Sequence, residues 1–189
     1  MHYLLFIFPK KNKQLESQKC QLFLVNFNMK KQLLLLRHAE AQTFAPGKTD
    51  HARELTPNGI QQAQQMSQQL SDLDYFPEIV YASNAQRTTS TAEIFAQKLN
   101  YPPKNIIFDA SIYETTVEVM LWLINKIPDQ YQFAMMVGHN PTITYLVEYL
   151  VQQSVGGMPT CGMALITFEV AEWSHISAGT GVLNWIKHP

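Results

Sequence analysis

The sequence predicts an α/β fold, a three-layer α/β/α sandwich around a mainly parallel sheet with an antiparallel edge. Three observations carry that expectation. Short apolar runs of strand length alternate with amphipathic helical patterns, as in a parallel sheet covered on both faces. Two of the runs end at polar turns that open a helix, the connection a parallel sheet requires. The last two runs follow each other without a helix between them, which suits an antiparallel edge.

Taken in order, the first strand is Leu33-Leu34-Leu35-Leu36, a continuous apolar run suited to burial on both faces. It stops at Arg37-His38-Ala39-Glu40. Thr56 followed by Pro57 marks a helix start, and the spacing predicts a helix to about residue 70 with Ile60, Ala63, Met66 or Ser67, and Leu70 inward. The run Gln61-Gln62-Ala63-Gln64-Gln65 supplies its uncharged polar face. Ile79-Val80-Tyr81-Ala82 reads as the second strand, and Ser83 or Asn84 as the cap of a helix over about 86–99. A third strand is expected at Ile106-Ile107-Phe108 and a helix over about 117–127. Ala134-Met135-Met136-Val137 is the fourth strand, and Asn140-Pro141 reads as an N-cap and first helical position for a helix over about 142–151. The late strands are expected at 163–169 and 181–186.

Parallel packing would bring the strand ends together on one rim, where open α/β sheets bind ligands. That rim then carries Arg37, His38, Arg87 and His139. Two guanidiniums and two imidazoles near helix N-termini describe a pocket for a dianionic phosphoryl group. An imidazole there can be a nucleophile, a base or a metal ligand.

These residues carry a resemblance. Arg37-His38-Ala39-Glu40 resembles the Arg-His-Gly-Glu signature of the histidine phosphatase (phosphoglycerate-mutase-like) superfamily. Ser83-x-x-x-Arg87-Thr88-x-x-Thr91-Ala92 and Val137-Gly138-His139-Asn140-Pro141 are similar to its second and third blocks. The Gly-His-Asn-Pro wording and Pro159-Thr160-Cys161-Gly162 resemble its phosphohistidine phosphatase, or SixA, branch. The likeness runs from about Lys30 nearly to the C-terminus. Ala39 departs from the usual glycine, at a position that the chemistry does not use.

The resemblance implies a metal-independent phosphatase acting on protein-bound phosphohistidine through a phosphohistidine enzyme intermediate. It implies His38 as the nucleophile, Arg37 and Arg87 as the clamp on the phosphoryl oxygens, and His139 as a further donor, protonated in the complex. Glu114, after the third strand, is the best-placed carboxylate for a leaving-group acid, with Glu40 and Glu118 as alternatives. Arg53, in Arg53-Glu54-Leu55-Thr56-Pro57, resembles the family's Arg-Pro-Leu-Thr segment and is expected to bind phosphate. No cofactor and no metal are expected. A small-molecule phosphomonoesterase of the same superfamily and a non-catalytic phosphoprotein-binding module stand as alternatives.

Competing chemistries fit poorly. Gly47-Lys48-Thr49 ends like a phosphate-binding loop, but its first glycine would fall at Gln42. A cysteine phosphatase needs arginine six positions after the cysteine, and those positions hold Asn26 and Thr167. The cysteines form no Cys-x-x-Cys pair, which argues against a zinc site. The chain has 189 residues, 46% hydrophobic and 15% charged, with net charge −1. That balance suits one globular domain and gives no basic face for nucleic acid. Two cysteines without a framework suit a cytoplasmic setting, and no run is long enough to span a membrane. Residues 1–28 read as a non-catalytic leader or an over-extended start, because Tyr3-Leu4-Leu5-Phe6-Ile7-Phe8 precedes its basic residues instead of following them. The phosphatase domain is then 29–189.

Overall fold

The four leucines of the first run are each 0% exposed, and they divide between the two sides of the sheet. Leu33 and Leu35 join Met120, Ile124, Ile143 and Leu150 in one core, while Leu34 and Leu36 join Ala63, Met66, Leu70 and Phe95 in the other. Strand side chains alternate between faces, so one run of leucines anchors both outer layers. The computed structural model describes residues 30–43, 47 and 49–189; the expected leader over 1–28 lies outside them.

The strands are β1 (Lys31–Arg37), β2 (Ile79–Ala82), β3 (Ile107–Phe108), β4 (Phe133–Gly138), β5 (Met163–Phe168) and β6 (Gly181–Lys187), in the order β3-β2-β4-β1-β5-β6. The first four run parallel, and β5 and β6 form the antiparallel edge. Helices α1 (Pro57–Asp72) and α2 (Gln86–Lys98) cover one face; α3 (Val117–Asn125) and α4 (Thr142–Val151) cover the other. The expected fold class therefore holds.

Several local expectations change. Ile60 is 43% exposed, and the inner face of α1 is Gly59, Ala63, Met66, Ser67 and Leu70. The reason is close approach: a Cβ at Gly59 would collide with the carbonyl oxygen of Glu40, so only glycine lets α1 lie on the segment after β1. Helix α2 has Ala85 as N-cap with no side-chain cap, because Asn84 Oδ1 accepts from His51 Nε2 instead and the Ser83 hydroxyl is held by His139. Pro141, not Asn140, occupies the N-cap of α4; the Asn140 amide donates to the Met158 carbonyl at 2.8 Å. Helix α3 stops at Asn125, ahead of Ile127-Pro128, where proline disfavours helical geometry in the residue before it.

Register positions the rim. Arg37 lies opposite Gly138, and Ala82 lies opposite Val137. The pairing continues one step further, with the His38 N–H donating to Gly138 O and the Ser83 N–H to Val137 O. His38, Ser83 and His139 thus leave the sheet side by side.

Candidate active site

His38 is 8% exposed, and its tautomer follows from its neighbours. Nδ1 lies 2.8 Å from the Ala39 carbonyl, which only accepts, so Nδ1 carries the proton. Nε2 is then a lone pair, and it accepts from Arg87 Nε–H at 3.3 Å. Burial holds the imidazole down, to a pKa of about 4, against the Ala39 hydrogen bond and aided by Arg87, Arg37 and Arg53. His38 is a neutral imidazole across the neutral pH range.

The same logic fixes His139. Its Nδ1 faces Arg87 Nη2 at 3.2 Å and must accept, so Nε2 carries the proton and donates to Ser83 Oγ at 2.9 Å. The two imidazole rings are 5.2 Å apart. Burial, then His38 and Arg87, lower the His139 pKa to about 3, with Asp50 pulling the other way. The resting environment opposes the protonated His139 expected for the complex; a bound dianion supplies the charge that would reverse it.

Arg87 is the hub. It reaches His38, His139, the Asp50 backbone carbonyl at 2.8 Å and Asp50 Oδ2 at 2.9 Å. Its neighbours Thr88 and Thr91 on α2 are fully buried, and Thr91 Oγ1 accepts the Ala39 N–H. Ala39 fits in place of glycine because its backbone stays out of the left-handed region. Arg37 donates from Nη1 to the Met158 carbonyl at 2.9 Å, and its Nε is buried without a partner among the described residues. A buried guanidinium N–H left unpaired favours an anionic ligand.

Among the described residues, the Arg53 side chain contacts Asp50 at 2.7 Å while its Nε donates to Gln42 O. Glu114 is exposed and has positive φ; with Asp50, Arg87, Tyr113, His139 and Asn140 it lines a cavity of about 340 Å³. Glu40 is elsewhere, tying Thr56 Oγ1 and Asn58 Nδ2 at the start of α1. The residues missed by the sequence reading are Asp50 and Tyr113, joined by a 2.9 Å hydrogen bond from the Tyr113 hydroxyl to Asp50 Oδ2. An Asp three positions before Arg53 was the available signal. Cys161 is buried, and burial pushes its thiol up to about 12, far from thiolate chemistry.

A family model described as histidine phosphatase superfamily (branch 1) matches residues 33–120, a span that holds Arg37, His38, Arg53, Arg87 and Glu114. A solved structure assigned as the phosphohistidine phosphatase SixA of Agrobacterium tumefaciens superposes with TM-score 0.74 at 27% identity, over 84% of this chain and 98% of that one. The chain resembles the histidine phosphatase superfamily in this span and in its fold. An uncharacterized chloroplastic protein of Arabidopsis thaliana is 29% identical over 167 residues, covering 84% of this chain and 76% of the relative. A structure of the protein histidine phosphatase SixA complexed with tungstate shares the fold, with TM-score 0.72 at 24% identity over 84% and 97% of the two chains. The family match and the structural likeness support a phosphatase, a hydrolase. No helix among the described residues is long and apolar enough to cross a membrane.

Proposed function

We propose that this protein hydrolyses phosphohistidine on a protein substrate, without a metal, through a phosphorylated His38. The carrying observation is the His38 tautomer: Nδ1–H is tied to Ala39 O, and the Nε2 lone pair faces Arg87. Nε2 attacks phosphorus, the bond from phosphorus to the substrate nitrogen breaks, and its electron pair stays on the departing imidazole. Water then adds to phosphorus, the electron pair of the P–Nε2 bond returns to Nε2, and both water protons leave with dihydrogen phosphate.

Arg87 and Arg37 hold the equatorial oxygens, and His139 donates to them once the dianion has raised its proton affinity. Arg53 acts on the phosphate site through its contact with Asp50. Glu114 protonates the leaving oxygen when the substrate is an ester, from its place on the cavity wall. Metal independence rests on these guanidiniums, which already supply the positive charge that a cation would bring. The SixA neighbours favour a phosphoprotein substrate, and an open rim suits a protein side chain.

The test compares turnover of a histidine-phosphorylated protein with a panel of phosphate esters and sugar phosphates, in parent and His38→Ala. The parent should prefer phosphohistidine and carry acid-labile, base-stable phosphate, and the folded variant should lose both. A parent active only on small esters would favour the phosphomonoesterase alternative. Binding of the phosphoprotein without turnover would favour the binding-module alternative.

A further inference from the structure

An aspartate stands at the mouth of this anion pocket, and a carboxylate there repels a phosphoryl dianion. Asp50 is nevertheless fixed in place by three donors: Arg53 Nη1 on Oδ1 at 2.7 Å, and Arg87 Nη2 and the Tyr113 hydroxyl on Oδ2 at 2.9 Å each. An ionised carboxylate offers about four acceptor directions, so one remains on Oδ1. The Asp50 side chain is 41% exposed while Arg87 is 7% exposed, so the carboxylate lies outward of the guanidinium that touches the nucleophile. Asp50 lines the same cavity as Arg87, Tyr113 and His139, so a substrate that enters this cavity meets the carboxylate.

We infer that Asp50 selects the leaving group: its carboxylate holds the protonated imidazole of an N-phosphorylated histidine and disfavours ester substrates, whose leaving groups are neutral or anionic. This rests on the phosphohistidine reading above. When the distal nitrogen of the substrate ring carries a proton, the P–N bond breaks with its electron pair on the leaving nitrogen, and neutral imidazole departs with no proton donor required. Asp50 accepts the hydrogen bond from that distal N–H and keeps the ring protonated. The leaving ring loses positive charge as the bond breaks, so the contact is strongest before the transition state. Its effect therefore falls on KM more than on kcat.

The test is Asp50→Asn in the full chain, assayed with a histidine-phosphorylated peptide and with p-nitrophenyl phosphate, alongside tungstate binding. The amide still accepts from Arg87 or Tyr113 but has lost the charge. KM for the phosphohistidine peptide should rise about tenfold or more, the scale of one lost charge-assisted hydrogen bond, with kcat changing less. KM for p-nitrophenyl phosphate should fall, and tungstate should bind more tightly. Asp50→Glu should restore the phosphohistidine preference. Equal losses on both substrates with weaker tungstate binding would make Asp50 only a support for Arg87 and overturn the inference. An unchanged substrate preference would overturn it and leave the phosphohistidine reading standing. A parent without activity on the phosphohistidine peptide would remove both. If Asp50→Asn does not bind tungstate and has lost its fold by circular dichroism, Asp50→Ser carries the same comparison.

Discussion

At the scale of single residues, Arg87 does what a lysine cannot. Its Nε meets His38, its Nη2 meets both His139 and Asp50, and its Nη1 meets the Asp50 carbonyl, a set that requires a planar fork. Arg87→Lys keeps one charge and loses that fork, so kcat should fall by about 100-fold, the scale of one transition-state donor, with helical content unchanged. Equal rates for parent and variant would place Arg87 outside the reaction. Glu114→Gln divides substrates by leaving group. It should slow alkyl phosphates by about 100-fold, and p-nitrophenyl phosphate and phosphohistidine little, because only the alkoxide needs a proton. A uniform change across all three would assign Glu114 to binding. Arg37, His38, Arg87 and His139 were legible because each ends a strand or opens a helix. Asp50 was not, since it follows a segment with no periodicity and, beside nearby Arg53, gains its meaning through partners 37 and 63 positions away.

At the scale of elements, the alternation of apolar runs and helical patterns was enough to place the sheet, since tertiary burial and local pattern agree there. It was not enough to rotate α1. Ile60 and Gly59 are neighbours on the helix, and a sequence reading gives the inward place to the apolar one. The backbone of Glu40 reverses that choice, because its carbonyl accepts the Thr56 N–H and lies where a Gly59 side chain would be. Glu40 adds two carboxylate contacts to the same junction, with Thr56 and Asn58. The helix caps show the same limit. Ser83 and Asn140 have the right chemistry for caps, but contacts with His139 and Met158 take their side chains. Gly59→Ala should therefore destabilise by about 1–3 kcal/mol, the cost of forcing an extra group into a packed contact. Denaturant unfolding measures it, and Ile60→Ala, on the exposed neighbour, should change stability by less than about 1 kcal/mol.

At the scale of the whole molecule, the site places two neutral imidazoles in the buried end of the sheet, and that choice sets an acid limit on the fold. His38 and His139 titrate near 4 and 3 when folded, below the ordinary 6.5. Between those values the unfolded chain binds more protons than the native one, so stability rises with pH through that window. The contribution is fully present above about pH 6.5 and is lost as pH falls toward the folded values. Asp50 acts lower: its partners Tyr113, Arg53 and Arg87 outweigh its desolvation and hold it near 2, below 3.8. Its stabilisation is present above 3.8 and disappears as pH falls through 2. Melting temperature should therefore hold steady above about pH 6.5 and drop steadily from there toward pH 3. His139→Ala should flatten the upper part of that slope, because it removes one of the two groups that the unfolded chain protonates first. Tungstate should flatten it as well, for a different reason. A dianion bound between Arg87 and His139 raises the proton affinity of the folded imidazole toward its unfolded value, and binding below pH 6 should take up a proton that calorimetry in buffers of different ionisation enthalpy can count. A melting temperature independent of pH between 6.5 and 4, in the parent without ligand, would mean that neither imidazole is held neutral by the fold.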